Sequence, residues 1–541
     1  MARRNTNRTA VDKMEPPENG VAIRMYRQGH GDCFLLAFPR NDGGDPVYVM
    51  IDCGYKPGSQ ITINGRKVTA DDVVKDIKAV TKGKLDVLAV THEHQDHVNA
   101  LGKFEDFDIG TAWFAWTENP KDKDANELRR RHNDQLLGLL GARNQLRGLA
   151  GNAAKGAVAR LDELLMLELG GEEEMPKVPV QALSMGFGAG STSDPAKSQN
   201  KQAMEKIKKA ARLIEYILPH DRIMEVPGVK GVRVFALGPP KKETLLKDED
   251  PQGDASFPGH EIAAGSSLSF FAAATQSTAS RSGAPFAVEY GISKDEAFAA
   301  DRPDIADSRE NKAKAKALNE FFRNHYGDGP LVDEGDTVAS NAEWRRIDEE
   351  WLFAAESFAL KLNRGINNTS LVLAFELIDT GKVLLFAADA QNGNWNSWDD
   401  GYWIEDGKNA TDDGAKITAK DLLGRIVLYK VGHHGSHNAT LNGERSSKYP
   451  NLGWMGVGTY AREFTAMIPA HRDWALEKAK WNHPLPAIKQ ALEDKASGRV
   501  LQMDTGLPPQ PKDVSDSEWR TFEDRTKVTD LYIEYHVSGT F

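Results

Sequence analysis

The chain has 541 residues, a formal net charge of −11 and two cysteines. At about 150 residues per domain this length exceeds one ordinary core, so two to four units, or one domain with large insertions, are expected. The acidic balance excludes a global attraction to nucleic acid or an anionic membrane while leaving a local basic groove open, and two cysteines exclude a disulfide framework and fit a reducing compartment.

Residues 1–20 are basic, polar and Pro-rich, without the apolar core of a secretory signal, and read as a disordered tail. No run approaches the ~18 apolar residues of a membrane span, so a cytoplasmic protein with no membrane partner is expected. Residues 21–26, 33–38 and 47–51 are short apolar segments with Gly-containing joints, which predict an antiparallel meander ending in Asp52-Cys53-Gly54. Residues 69–79, with Asp71 and Asp72 early and Val73, Val74 and Ile77 at helical spacing, predict a helix. The run 85–90 predicts a buried strand, and it delivers Thr91-His92-Glu93-His94-Gln95-Asp96-His97. On a helix His92 and His94 would diverge, whereas in an extended or turning segment positions i and i+2 face one way. Imidazole and carboxylate without thiolate suit zinc, iron or manganese.

A further strand is expected at 111–116. Residues 119–229 then form a helical insertion, with leucine stripes at Leu136, Leu139, Leu140 and Leu146, again at Leu161, Leu164, Leu165 and Leu167, and the same habit over 203–218. The sheet resumes at 232–237 within a core segment 230–240 and stops at Gly238-Pro239-Pro240. Residues 241–365 form a second insertion, with a Ser/Ala-rich loop at 266–285 and helices at 313–322 and 342–360. Residues 370–377 and 382–388 read as a hairpin whose second strand delivers Asp389. The strand 425–430 delivers Val431-Gly432-His433-His434-Gly435-Ser436-His437, so three separate strands end in metal-competent groups.

Gly31-Asp32, Ile51-Asp52-Cys53-Gly54, His92-x-His94-x-Asp96-His97, Ala388-Asp389 and His433-His434-Gly435-Ser436, in that order, resemble the metallo-β-lactamase superfamily. Within it the chain looks most like the branch typified by the hydrolase-like domain of the DNA-uptake protein ComEC. Asn367-Asn368-Thr369-Ser370 before the hairpin, Trp481-Asn482-His483-Pro484, and Gly498 to Gly506 as a closing strand are similar to that branch too. The resemblance covers 21–118, 230–240 and 366–506, within a second half taken as 366–510 and followed by an extension, 511–541. It implies an α/β fold, a four-layer αββα sandwich carrying two large, partly helical insertions.

By the same resemblance the centre holds two divalent ions, zinc first, with manganese or iron as alternatives. His92 and His94 would hold one, Asp96 and His97 the other, and Asp389 both. One of His433 and His434 supplies a late ligand and the other serves proton transfer; the working assignment makes His433 the ligand and groups His434 with Asp96 and Asp389 as catalytic. Asp52 would orient a ligand histidine, with Asp32, Ser436 and His483 in supporting positions. One departure stands out. Where many relatives place another histidine ligand, this chain has Gly238-Pro239-Pro240, so the first ion would have fewer protein ligands and more water, or borrow one from His30, His220 or His483, and a single-ion site is the alternative outcome.

Two bridged ions lower the pKa of a shared water toward neutrality, which points to a hydrolase. The first expectation is a phosphodiesterase or nuclease whose partner is a phosphoester, either nucleic acid or a nucleotide. Lys201, Lys206, Lys208, Lys209, Arg212, Lys241 and Lys242 are candidates to line a phosphate path, against the plainer reading of a solvated face. Two other readings stay open: a scaffold that binds a protein partner through the insertions, and a hydrolase of lactams, thioesters or lactones. Trp395, Trp398 and Trp403 are either walls of the site mouth or core.

Overall fold

The computed structural model describes residues 12–148, 152–170, 198–258, 354–405 and 415–540, with scattered positions in 312–321 and 408–412. The N-terminal apolar segments form β1 (Val21–Tyr26), β2 (Cys33–Phe38) and β3 (Val47–Cys53), and the longer run before the histidines forms β4 (Lys84–Val90). Next come β5 (Asp108–Ala115) and β6 (Ala211–Ile217). A second sheet is built from β7 (Met224–Glu225), β8 (Val232–Gly238), β9 (Val372–Leu377), β10 (Lys382–Phe386), β11 (Ile426–Lys430), β12 (Thr465–Ile468) and β13 (Val500–Gln502). The chain then returns to the first sheet through β14 (Thr526–Val528) and β15 (Tyr532–Val537).

The first sheet has the order β14-β15-β1-β2-β3-β4-β5-β6 and the second β13-β12-β11-β10-β9-β8-β7. Each is antiparallel in one half and parallel in the other: β3 to β6 pair in parallel, as do β10 to β13. Alternate residues of both sheets share one core, where Ile23, Phe34 and Leu36 meet Val234, Phe375 and Leu384, all at most 1 % exposed. Each such side chain contributes about 1.5–3 kcal/mol by leaving water. Helices cover the two outer faces. The first sheet is covered by α1 (Ala70–Thr81), whose Val73 and Ile77 point inward. Its N-terminus is fixed by a reciprocal cap between Thr69 and Asp72, of a kind worth about 1 kcal/mol. The result is a mixed α/β sandwich of two sheets between helices.

Of the first insertion, the structure describes α2 (Lys123–Gly148), α3 (Asn152–Leu169) and α4 (Gln199–Ala210); Met204 and Ile207 of α4 pack on the first sheet. The helix expected through residue 218 stops at Ala210. Ala211–Ile217 is instead the edge strand β6, paired in parallel with β5 along its length, and its Leu213, Ile214, Tyr216 and Ile217 suit an extended chain. The α5 helix (Ala354–Asn367) leads into β9, and α6 (Pro486–Lys495) lays Ile488 and Leu492 on the outer face of the second sheet. The loop expected at 266–285 lies outside the described residues, as does most of the helix expected at 342–360. Among the described residues no helix is long and apolar enough to cross a membrane.

Contacts divide the chain into two units. One comprises Met1–Arg131, Leu165–Ala263 and Leu362–Phe541, and it contains both sheets and every site residue below. The other comprises His132–Leu164 and Ala264–Lys361; within it Arg143 pairs with Asp162.

Residues 1–11 of the tail expected at 1–20 lie outside the described residues; within 12–20 Met14 is 1 % exposed, and the C-terminal extension supplies β14 and β15 to the first sheet. The pivot is Arg24 of β1, whose buried guanidinium pairs with Glu534 of β15 and with Asp76 of α1 at 3.2 Å. It also donates to the Asp12 carbonyl at 2.8 Å and covers the Tyr532 ring at 3.9 Å. Cys33 and Cys53 face each other across β2 and β3 as buried free thiols. Arg24→Met leaves two carboxylates without their buried partner and is expected to cost about 3–5 kcal/mol. A denaturant midpoint unchanged from wild type would contradict this.

Candidate metal centre

Parallel strands in both sheets deliver the site residues at their C-terminal ends, where α/β sheets place ligands. Asp52 ends β3, Thr91 and His92 follow β4, Asp389 follows β10, and His433 and His434 follow β11. The two sheets are tied at this edge by Leu371 N–H donating to Thr91 O at 3.0 Å. Backbone strain concentrates here: Asp52, Ala388, His433 and His434 have φ of 53°, 48°, 43° and 53°, each in the left-handed region that costs about 1 kcal/mol or more for a non-glycine residue. Compensating bonds hold them. His433 N–H (2.9 Å) and Lys430 Nζ (2.8 Å) both donate to Ala388 O. Gly54 allows the loop carrying Asp96 and His97 to approach, since a Cβ there would lie 2.4 Å from His97 N.

The ligand-type atoms form two adjoining pockets. In the first, His92 Nε2 and His94 Nδ1 are 3.2 Å apart, and Asp389 Oδ2 lies 3.9 Å from His92 Nε2. In the second, His97 Nε2 lies 3.2 Å from Asp389 Oδ1, and His434 Nε2 lies 3.2 Å from Asp96 Oδ2 and 3.8 Å from Asp389 Oδ2. Asp389 belongs to two of the three metal-competent groupings among the described residues, one with His92 and His94 and one with Asp32, His97 and His434.

Behind the rings, the opposite nitrogens are held in place. His97 Nδ1–H donates to Asp52 at 2.7 Å, and Asp52 is itself fixed by Thr91 N–H at 2.8 Å. His434 Nδ1–H donates to Pro469 O at 3.0 Å. Asp32 lies on the same side, 3.8 Å from His97 Nδ1 and 3.6 Å from His434 Nδ1, and pairs with Lys430. His92 Nδ1 is 3.1 Å from Thr91 Oγ1.

Burial works against every charge in the cluster, and the neighbours decide which survive. Burial disfavours the His97 imidazolium, but Asp389, Asp32 and Asp52 hold it well above the usual histidine range. Burial would raise Asp96 and Asp389; Lys56 and His434 outweigh it at Asp96, and His97 and His433 at Asp389, so both stay well below the carboxylate range. His92 is pushed well below the histidine range by burial and by His97 and His94. Asp96 Oδ1, His97 Nε2 and Asp389 Oδ1 are buried without a hydrogen-bond partner. Without an ion the proton on His97 and the Lys56 ammonium are the positive charges facing these carboxylates, and a buried set of carboxylate oxygens and ring nitrogens of this kind could hold a divalent metal ion instead.

Of the residues expected from sequence, His92, His94, Asp96, His97, Asp389 and His434 converge. His434 is 1 % exposed and sits between Asp96 and Asp389. His433, assigned above to the metal, lies at the rim, 19 % exposed, with Nε2 3.7 Å from Asp389 and 3.4 Å from Asn367 Nδ2. The two successive left-handed residues splay the rings apart. Asp32 and Asp52 stand behind the ligand rings. Ser436 Oγ donates to Asn438 Oδ1 at 3.1 Å and Ser436 N–H donates to His433 O at 2.8 Å, while His483 stacks on His30 and meets His433 edge-on, with centroids 5.7 and 5.4 Å away. His220 bonds to Trp398 O and packs on Trp403, and it does not join the site. Trp395, Trp398 and Trp403 are core residues of the second sheet's outer face. Of the seven cations proposed to line a phosphate path, Lys206, Lys208, Arg212, Lys241 and Lys242 pair with Glu105, Glu118, Asp108, Asp122 and Asp400.

The sequence reading missed four groups. Lys56 Nζ lies 3.5 Å from Asp96, Lys430 pairs with Asp32, Asn367 meets His433, and Glu168 contacts His94. Two carry a signal: Lys430 as a charge closing an otherwise apolar strand, and Asn367 as the first residue of the Asn367-Asn368-Thr369-Ser370 motif.

Because Asp52 orients His97, Asp52→Ala is expected to weaken zinc binding about 10- to 100-fold while the fold is retained. Competition against a chromogenic chelator, with circular dichroism as the fold control, checks this; wild-type affinity would refute it.

No protein-family model matches the chain, and no curated protein matches it in sequence.

Proposed function

We propose that the chain is a metal-dependent hydrolase of the metallo-β-lactamase type, with phosphodiesters as its substrate class. The observation that carries this reading is Asp389, whose carboxylate is 1 % exposed and is approached by imidazoles of both pockets. His92, His94 and Asp389 would hold one divalent ion, and Asp96, His97, His434 and Asp389 the other. A pair of such ions supplies a water nucleophile at neutral pH and a clamp for phosphoryl oxygens.

The chain's own residues do the rest. Asp52 and the Pro469 carbonyl keep a proton on Nδ1 of His97 and of His434, so that each Nε2 would turn its lone pair to a bound ion, at His97 once the ion displaces the second proton. His433, brought down to about 3 by burial that Asp389 only partly offsets, is neutral at physiological pH and keeps one N–H to offer from the rim. This makes His434 the ligand and His433 the substrate-facing group, the reverse of the working assignment. The Lys56 ammonium beside Asp96 and the Asn367 amide beside His433 add hydrogen-bond donors, which favours an anionic phosphoryl group over a neutral lactam.

A chromogenic phosphodiester, with a chromogenic lactam and ester as comparators, tests this in the presence of zinc or manganese. Phosphodiester turnover that a chelator abolishes is expected, and Asp389→Ala should lower it by at least about 100- to 1000-fold. Full activity in a folded Asp389→Ala protein would overturn the reading.

A further inference from the structure

The first pocket has two imidazoles and Asp389, and the Gly238-Pro239-Pro240 segment gives it nothing; Pro239 O instead accepts a bond from Trp116 Nε1 at 3.0 Å. A residue from elsewhere reaches this side. Glu168, in the last turn of α3 and in the same unit as the sheets, is 2 % exposed, and its Oε1 lies 3.2 Å from His94 Nε2. The other nitrogen of that ring, Nδ1, is the one that faces His92 Nε2 at 3.2 Å.

The backbone that carries Glu168 is pinned. Asn200 Nδ2 donates to Leu167 O at 2.7 Å and to Glu168 O at 3.3 Å, while Gly170, at φ 76°, ends the helix with its N–H on Met166 O. A side chain at position 170 would not fit, since its Cβ would lie 2.7 Å from Asn200 Oδ1. The carboxylate is therefore delivered to one face of one imidazole by a helix end with little freedom to move.

We propose that Glu168 is the positioning residue of His94: it accepts the Nε2–H, fixes that tautomer, and turns the Nδ1 lone pair toward the ion shared with His92. This rests on the metal-centre reading given above. A buried carboxylate on the far nitrogen of a ligand histidine raises the basicity of the near one and holds the ring in place. Asp52 does the same for His97 in the second pocket, so each half of the centre has its own orienting carboxylate, one from a strand end and one from the insertion.

The test is zinc titration of the metal-free full-length protein, with cobalt(II) as a spectroscopic probe, for wild type, Glu168→Ala and Glu168→Gln. Wild type is expected to take up two ions. Glu168→Ala should keep one and bind the other about 10- to 100-fold more weakly, with a changed visible cobalt spectrum. Glu168→Gln, whose amide oxygen can still accept the Nε2–H, should recover most of that affinity. Wild-type affinity for both ions in Glu168→Ala would overturn the proposal, and so would a loss in Glu168→Gln equal to that in Glu168→Ala, which would mark a direct ligand. A wild-type protein that takes up no ion would remove the metal-centre reading itself, an outcome seen before any variant is compared.

Discussion

A carboxylate taken out of water needs a positive partner, and the effective cost of leaving it without one is several kcal/mol. Asp389 is such a carboxylate, and much of the architecture around it reads as the means of keeping it where it is. Its N–H is bonded to Ser370 Oγ at 3.2 Å, and the carbonyl before it is gripped by Lys430 and by His433 N–H. The proton held on His97 by Asp389, Asp32 and Asp52 supplies the counter-charge when no ion does. A divalent cation does the same with more charge and no hydrogen to place.

From this constraint the fold follows outward. Ligands for one carboxylate must come from several directions, and two twisted sheets with parallel strands ending at one edge provide them. The first sheet gives Asp52 and the histidine loop, and the second gives Asp389 and the His433-His434 turn. The Leu371–Thr91 backbone bond fixes the distance between the two sources. The strain of four left-handed residues and of the buried charges is offset elsewhere, chiefly by the apolar core between the sheets and by the Arg24 network that closes the first sheet onto its C-terminal strand.

Much of this is legible in the sequence. The strands at 21–26 and 33–38 stand out because they are short apolar runs with glycines at their joints, and the histidine loop stands out because few segments carry three imidazoles and two carboxylates after a buried strand. What was not legible depended on contacts distant in sequence. Ala211–Ile217 follows a helix with no glycine or proline between them, and pairing with β5 makes it a strand. The choice between His433 and His434 rests on two consecutive left-handed backbones, which no residue type announces. A single glutamate in a leucine-striped helix looks solvated until the turn that bears it is seen against His94, so Glu168 was invisible in the pattern.

The central claim is that two adjoining pockets share Asp389. Elemental analysis of the purified full-length chain, paired with anomalous diffraction at the metal's absorption edge, addresses it most directly. The account predicts two divalent ions per chain, one against His92 and His94 and one against Asp96, His97 and His434, with the Asp389 carboxylate between them. A metal-free protein, or a single ion that leaves His92 and His94 uncoordinated, would contradict it.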